Sequence, residues 1–419
     1  MFPALQHRNF RLLWLGLLVS FTGTFMQTAA ILWHVSLLAA DDHRALALGL
    51  VGLVRVVPVI AFSLISGVAA DALDRRRLML VTQSTMAALA LVLAVLTFRG
   101  LSSLWPIYVL AACSSAAGAF DLPARQSLAP SLVPPEHLPS AITLNTIMVQ
   151  VASVAGPALG GVVIATGGVA WVYAFNAASF LFVIVALLMM RMPKTVGGAA
   201  GPTVGAGIRG NFTVAAALEG LRFVFRAPLI RSTMLLDFFA TFFSSATALL
   251  PIFAQDILHV GARGYGWLYA APAVGAVVAS ALMIRGVDWI ERRGLVLLTS
   301  IAVYGAATAV FGLSRAFWLT FGCLAATGAA DTVSMVFRNL IRQIETPDRL
   351  RGRMVGVNMV FFMGGPQLGE LEAGLVANAM GPTVAVVTGG IGCLIATAWV
   401  AARTPALRAY RRSAPDVVP

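Results

Sequence analysis

Long apolar runs recur along the whole chain and leave few folds open to it. A run of about 20 residues, wound into a helix that rises ~1.5 Å per residue, crosses the ~30 Å hydrocarbon core of a bilayer. Of the 419 residues, 59% are hydrophobic and only 11% are charged, which is too little charge to cover the surface of a soluble protein of this size. The sequence therefore predicts an all-α membrane protein with twelve transmembrane helices.

The predicted spans follow one another from residue 12 to residue 402. The first is too long for the core of a signal peptide and lacks a convincing cleavage site, so we interpret it as a span. We place the twelve spans near residues 12–40, 45–70, 78–98, 103–124, 140–165, 169–190, 229–255, 263–285, 295–313, 316–340, 353–378 and 381–402.

The distribution of basic residues predicts the orientation. With the N-terminus inside, 24 of the 29 lysines and arginines fall in cytoplasmic segments and Arg55 falls within a span, whereas the outer loops hold only Arg44, Arg99, Arg263 and Arg315. Because basic residues accumulate on the cytoplasmic side, we expect both termini there and the chain in the inner membrane. The net charge of +12 then reflects topology and does not indicate nucleic-acid binding.

The two halves of the chain resemble a repeat. Pro58 and Pro272 lie 214 residues apart in spans 2 and 8, and Pro157 and Pro366 lie 209 residues apart in spans 5 and 11. Prolines inside a span bend the helix and leave backbone groups unpaired, so equivalent positions in two bundles are a better explanation than coincidence. We therefore predict two pseudo-symmetric six-helix bundles.

A glycine-rich polar stretch separates the predicted bundles. We assign residues 1–190 to the N-terminal bundle, 191–228 to a cytoplasmic linker with a surface helix, 229–403 to the C-terminal bundle and 404–419 to a cytoplasmic tail. The surface helix is predicted because aromatic residues alternate with arginines just before span 7.

The loop after span 2 contains Gly67, Asp71, Arg75 and Arg76. Gly67 allows close helix contact, and Asp71 can cap a helix and pair with cations. This spacing resembles the cytoplasmic signature of the major facilitator superfamily, although Ala72 and Asp74 replace its usual arginine and glycine. The resemblance implies a latch that holds the cytoplasmic side closed.

Asp121 and Arg125, near the inner end of span 4, are the expected partners of this cytoplasmic motif. The alternative is an ordinary basic loop on the cytoplasmic side, with no gating role.

Span 5 carries Gly156, Pro157, Gly160 and Gly161 in one short run. Small residues allow close packing against a neighbouring helix, and Pro157 bends the span. The run resembles the antiporter motif of the superfamily, which marks exporters that exchange substrate for protons. The branch that contains the enterobactin exporter and related drug exporters is similar in three segments, Ala165–Trp171, Leu221–Phe223 and Pro347–Arg353, and in the order of residues along nearly the whole chain. That resemblance implies efflux of a siderophore-like or drug-like small molecule.

Four ionisable residues inside spans are candidates for proton coupling or for an outer gate, because charge in the bilayer is costly. In the superfamily spans 2 and 11 face each other, so we hypothesise that Arg55 pairs with Glu370 or Glu372 when the outer side is shut. A static structural ion pair is the alternative. Asp237 in span 7 could carry the proton, contact a cationic substrate or neutralise Arg231.

Several classes of function are excluded or disfavoured. Lys194 is the single lysine and follows Pro193, so the phosphate-binding Gly-Lys pair of a Walker-type ATP site is impossible. The histidine spacing and the absence of a G-x-S-x-G elbow disfavour a zinc site and an enzyme, and we expect no metal and no cofactor. The predicted partners are a small-molecule substrate, protons and the lipid bilayer, with the chain a monomer. A lipid or lysolipid flippase on the same fold is the alternative function.

Overall fold

The computed structural model describes residues 2–190, 221–347 and 350–411. Within these ranges the side chains of residues 63–65, 67–72, 246, 285, 288, 351–353, 355, 356, 359, 360, 362 and 363 are not described. Most of the predicted linker and the last part of the predicted tail lie outside the described residues.

Twelve long helices occupy the described ranges, one at each predicted span. They are α1 Arg8–Leu38, α2 Arg44–Ala72, α3 Arg75–Phe98, α4 Trp105–Leu128, α5 Leu138–Gly167, α6 Val169–Met189, α7 Pro228–Phe243, α8 Gly261–Gly286, α9 Arg293–Leu313, α10 Phe317–Glu345, α11 Arg351–Met380 and α12 Pro382–Arg403.

The fold is that of an all-α membrane protein, as predicted. Eleven helical segments of the described chain are long and apolar enough to cross a membrane, and no strand occurs in the same ranges. The segment not among the eleven is α11, which carries both Glu370 and Glu372.

Contacts divide the chain into two compact units. The first comprises Met1–Ala200 and Ala248–Ala270, and the second Gly201–Thr247 and Ala271–Pro419. In the first unit α1 packs on α5 and α6, α3 packs on α4 and α6, and α2 packs on α4.

The packing of the second unit repeats this pattern with every helix number raised by six. There α7 packs on α11 and α12, and α9 packs on α10 and α12. Gly275 and Gly328 bring the backbones of α8 and α10 together, so the α2–α4 contact has its counterpart as well. The equivalence of the pairs confirms the two pseudo-symmetric six-helix bundles that the prolines predicted.

Two glycines mark a further pair of equivalent positions. Gly168 joins α5 to α6 at φ +88°, and Gly381 joins α11 to α12 at φ +90°. Both have ψ near 160–170°, a backbone conformation that is essentially restricted to glycine. A single residue thus reverses the chain in each unit, and the two turns lie 213 residues apart.

The predicted span 7 is not one continuous helix. α7 ends at Phe243, Ser244 and Ser245 follow in irregular backbone, and the chain then continues in short turns that end in a π-helix at Phe253–Ile257. Further along, Pro251 lacks an N–H, so the carbonyl four residues earlier, that of Thr247, cannot accept a helical hydrogen bond from it. The predicted span at residues 229–255 is nevertheless present, because Pro228–Ile257 together form one segment that is long and apolar enough to cross a membrane.

The start of the tail docks on the second unit. Tyr410 accepts a backbone hydrogen bond from Gly294 at 3.1 Å, and Leu407 is fully buried against the start of α9. Burial, together with the nearby Glu345 carboxylate, raises the pKa of Tyr410 above its usual value, so its phenol stays neutral at physiological pH.

Candidate functional site

The four motif residues of α5 are all buried in the first unit. Gly156 and Gly160 are one helical turn apart and both face α1. A methyl group at Gly156 would lie 2.6 Å from Cβ of Phe25 and 2.8 Å from the carbonyl oxygen of Thr22. One face of the motif is therefore fitted to α1 and leaves no room for a side chain at Gly156.

Gly161 faces α8 instead. A methyl group there would lie 2.6 Å from the Ala262 carbonyl oxygen and 2.8 Å from Cα of Gly266. Gly266, on the α8 side of the contact, also leaves no room for a side chain, because a methyl group on it would lie 2.5 Å from the carbonyl oxygen of Pro157. We call this backbone contact of α5 with α8, formed by Pro157, Gly161, Ala262 and Gly266, the glycine seam.

Three polar contacts connect the start of α8 and the turns before it to the first helices of the unit. Arg44 Nη2 pairs with Asp256 Oδ2 at 2.5 Å. Gln255 Nε2 donates to Ser36 Oγ at 3.1 Å, and the Tyr265 hydroxyl donates to the Ala29 carbonyl at 2.8 Å. Arg44 was predicted only as an outer-loop residue, because its partner lies 212 residues away in sequence.

The described side chains of the loop motif bind backbone carbonyls. Arg75 donates to the Ser127 carbonyl at 3.2 Å and Arg76 to the Leu188 carbonyl at 3.3 Å. Asp74, which stands where the superfamily pattern has glycine, caps α3 by accepting the Arg77 N–H at 2.9 Å. The side-chain positions of Gly67 and Asp71 lie outside the described residues, so the latch stays a prediction.

Asp121 and Arg125 form a polar group near the C-terminal end of α4. Asp121 Oδ1 accepts hydrogen bonds from Thr82 at 3.0 Å and Gln83 at 2.9 Å, both on α3. Arg125 lies 3.8 Å from Asp121 and 4.3 Å from the centroid of the Phe21 ring. These contacts tie α3, α4 and α1 together, and Thr82 and Gln83 were not predicted from sequence.

Asp237 belongs to an ion-pair cluster in the second unit. Its Oδ1 lies 2.7 Å from Arg338 Nη1 and its Oδ2 lies 3.4 Å from Arg342 Nη2. Arg338 also donates to Asp331 at 3.0 Å. We call Asp237, Asp331, Arg338 and Arg342 the α7–α10 charge cluster.

Of the three roles considered for Asp237, these contacts bear only on the neutralisation of Arg231. Arg231 donates to the Phe225 carbonyl at 3.4 Å, so the arginines that neutralise Asp237 are Arg338 and Arg342. From the sequence, Arg342 was predicted to lie in a cytoplasmic loop after span 10. In the structure α10 continues to Glu345, and the Arg342 side chain is only 3% exposed.

The remaining candidates belong to different units. Arg55, on α2 in the first unit, donates to Thr28 Oγ1 at 2.9 Å. Glu370 and Glu372, on α11 in the second unit, are half-buried. The pairing of Arg55 with either glutamate stays a prediction.

Comparisons with known proteins match this chain to a family of membrane transporters. The sequence pattern of the transmembrane secretion effector family matches residues 1–415. The enterobactin exporter of Shigella boydii serotype 18 is 28% identical over 355 residues, which is 84% of this chain and 82% of the relative. Enterobactin exporters from several Escherichia coli strains, among them O157:H7, match to the same extent.

Solved structures resemble the fold across almost its whole length. A bacterial homologue of the human lysosomal transporter Spinster, in an inward-facing conformation, superposes with a TM-score of 0.72 at 16% identity and covers 97% of this chain and 99% of its own. A bacterial homologue of the iron transporter ferroportin gives 0.68 at 16% identity, with 96% and 99% covered. At these identities the likeness extends to the fold alone.

Proposed function

Because the chain belongs to the transmembrane secretion effector family of major facilitator transporters, we propose that it exports a small molecule across the inner membrane in exchange for protons. The cargo class is siderophore-like or drug-like, by analogy with the enterobactin exporters that are 28% identical to this chain over 355 residues. The chain works as a monomer with both termini in the cytoplasm, and it transports by alternating access.

The glycine seam carries this proposal. Alternating access requires a helix contact that closes tightly on one side of the membrane and can separate again. Gly161 and Gly266 meet without side chains, so separation breaks few interlocking contacts. Arg44–Asp256 and Gln255–Ser36, close to the same segment, can exchange their partners for water when the seam opens.

Proton coupling is assigned to α11 and α2. In the closed outer state Arg55 pairs with Glu370 or Glu372, and protonation of that carboxylate weakens the pair and favours opening. The buried charge cluster around Asp237 holds the inner part of the second bundle together. The cytoplasmic motif around Asp71 acts as the latch of the other side.

The test is transport in inverted vesicles with siderophores, drugs and lysolipids offered separately. The cytoplasmic face then points outward, so an acidic lumen drives uptake of the cargo, and a protonophore removes the effect. Uptake that ignores the pH gradient would defeat the antiport mechanism. Activity on lysolipids alone would replace export by a flippase.

The double variant Glu370→Gln/Glu372→Gln tests the coupling residues. We expect it to lose gradient-driven uptake, because the amides cannot be protonated, while facilitated equilibration of cargo without a gradient continues. Glu136→Gln removes an exposed acid on the predicted cytoplasmic side and serves as the matched control. Unchanged coupling in the double variant would remove both glutamates from the mechanism.

A further inference from the structure

A cavity lined by both apolar and polar side chains lies in the second unit, where α7 breaks. Its volume is about 130 Å³, close to the ~150 Å³ of an engineered cavity that holds benzene, so it can take about five heavy atoms. The lining residues are Ser244, Thr247, Pro272, Tyr304, Thr308, Phe311, Leu324, Thr327, Gly328 and Asp331. None of them is basic and one is a carboxylate, so the cavity is not suited to an anion.

The threonines in the wall present hydrogen-bond acceptors. Thr308 Oγ1 donates to the Tyr304 carbonyl at 2.9 Å, and Thr327 Oγ1 donates to the Leu324 carbonyl at 2.7 Å. A hydroxyl has one hydrogen, so the lone pairs that remain on these oxygens can only accept. The wall is thus prepared for a group that donates several hydrogen bonds.

Asp331 is the member of the α7–α10 charge cluster that the cavity exposes. Its side chain is 43% exposed and is bound through Oδ1 to Arg338, whereas Asp237 is 4% exposed and is held by two arginines. The two carboxylates and the two arginines of the cluster balance in charge. Neither arginine lines the cavity, so the one charged group at its surface among the lining residues is the Asp331 carboxylate, which Arg338 contacts through one oxygen.

Ser244 adds a second, independent observation. It is 7% exposed and lines the cavity, yet its Oγ has no hydrogen-bond partner of good geometry among the described residues. The Cys393 thiol that interacts with it is at most a weak acceptor. A buried hydroxyl without a partner costs free energy unless a ligand or water supplies one.

The end of α7 favours a positive charge at the same place. Ser244 is the C-cap residue of α7, so the negative end of this helix dipole lies beside the cavity. Broken helices whose C-terminal ends line a cavity are where membrane transporters bind cations.

We propose that this cavity is a subsite for a protonated primary amine on an alkyl chain of about four carbons, as a free amine or as an arm of a larger cargo. The ammonium group donates to Asp331, Thr327 and Ser244. Tyr304 and Phe311, which also line the cavity, pack against the alkyl chain. The inference deepens the proposed function by naming a cargo chemistry, and it concerns binding alone.

The experiment is equilibrium binding of radiolabelled n-butylamine to the purified full-length protein in detergent at pH 7, where the amine is protonated. We expect saturable binding that unlabelled n-butylamine displaces and that 1-butanol, of the same shape without the charge, does not. Asp331→Asn should weaken binding at least tenfold, and Asp42→Asn, which removes an exposed acid, should leave it unchanged. Sodium chloride at equal concentration should not compete.

Ser244→Ala keeps the test decisive if Asp331→Asn fails to fold. We expect severalfold weaker binding, with Ser102→Ala in an exposed loop as the control. Equal binding to wild type and both variants, competition by 1-butanol, or competition by sodium would overturn the proposal. If the wild-type protein does not bind the amine but exports cargo in response to a pH gradient, only this inference is refuted. If it binds the amine but its transport does not respond to a pH gradient, only the antiport mechanism is refuted.

Discussion

At the scale of single residues, α5 and α8 meet backbone to backbone because two glycines face each other. Gly161 was identified from the sequence as part of a motif, but its partner Gly266 was not, since nothing in a short stretch of sequence says which helix packs against it. The space at Gly161 is smaller than a methyl group. Overpacking of such a contact typically costs about 1 to 3 kcal/mol.

Gly161→Ala is therefore expected to lower the melting temperature in detergent and to reduce cargo uptake. An alanine normally stabilises a helix by about 0.5 to 1 kcal/mol relative to glycine. A loss of stability in Gly161→Ala would therefore be caused by the tight packing against α8. Gly118→Ala on α4, where a methyl group would meet nothing within 4 Å, is the matched control. If both variants gain stability, the backbone contact at the glycine seam does not exist.

The two aspartates of the α7–α10 charge cluster differ in what they neutralise. Asp237 contacts both arginines in a fully buried position, whereas Asp331 is half-exposed and contacts one. Removal of one partner from a buried ion pair typically costs about 3 to 5 kcal/mol, because the remaining charge has no compensation.

Asp237→Asn should therefore destabilise the protein by about 3 to 5 kcal/mol, and Asp331→Asn by clearly less. Thermal unfolding of the purified variants measures the difference. The double variant Asp237→Asn/Arg342→Gln should regain part of the loss, since it removes a charge of each sign. Equal destabilisation by the two aspartate variants would show that Arg338 and Arg342 do not depend on Asp237.

At the scale of helices, the positions of the spans were predictable and their interruptions were not. Length and apolarity are local properties, and every predicted span has its helix. The break after Phe243 lies at Ser244 and Ser245, inside an apolar run, so a search for apolar runs passes over it. The pairing of Asp237 with Arg342 joins residues 105 apart in sequence, so only the packed structure shows it.

The one-residue turns at Gly168 and Gly381 give a prediction for the helix hairpins. Both glycines have positive φ with ψ near 160–170°, which a side chain disfavours. Gly168→Ala and Gly381→Ala should each destabilise the protein by about 1 to 3 kcal/mol, although nothing within 4 Å would touch the new methyl group. Thermal unfolding checks this, and unchanged stability in both would show that the turns adopt another conformation.

At the scale of the whole molecule, the charge asymmetry gives a topology that can be labelled directly. In a chain from which Cys113 has been removed, Asp42→Cys should react with a membrane-impermeant maleimide in intact cells, because it precedes α2 on the predicted outer side. Glu136→Cys, before α5, should react only in inverted vesicles. Labelling of both from one side would contradict the predicted orientation.

The helix pairs that pack in the first unit recur in the second, so the chain is built from two equivalent sets of helices. The sequence indicates this organisation through prolines about 210 residues apart, and the turns at Gly168 and Gly381 add the same spacing. Cargo recognition and coupling depend on which side chains meet in the folded chain, and such long-range contacts are not encoded in any local pattern.

The central claim is that outward movement of cargo is coupled to inward movement of protons. Purified protein in proteoliposomes, with labelled cargo outside and a pH-sensitive dye in an acidic lumen, measures both flows in the same sample. For the molecules oriented with the cytoplasmic face outward, we predict that cargo enters as protons leave, with no nucleotide present, and that a protonophore stops accumulation. Cargo accumulation without any accompanying proton movement would contradict the account.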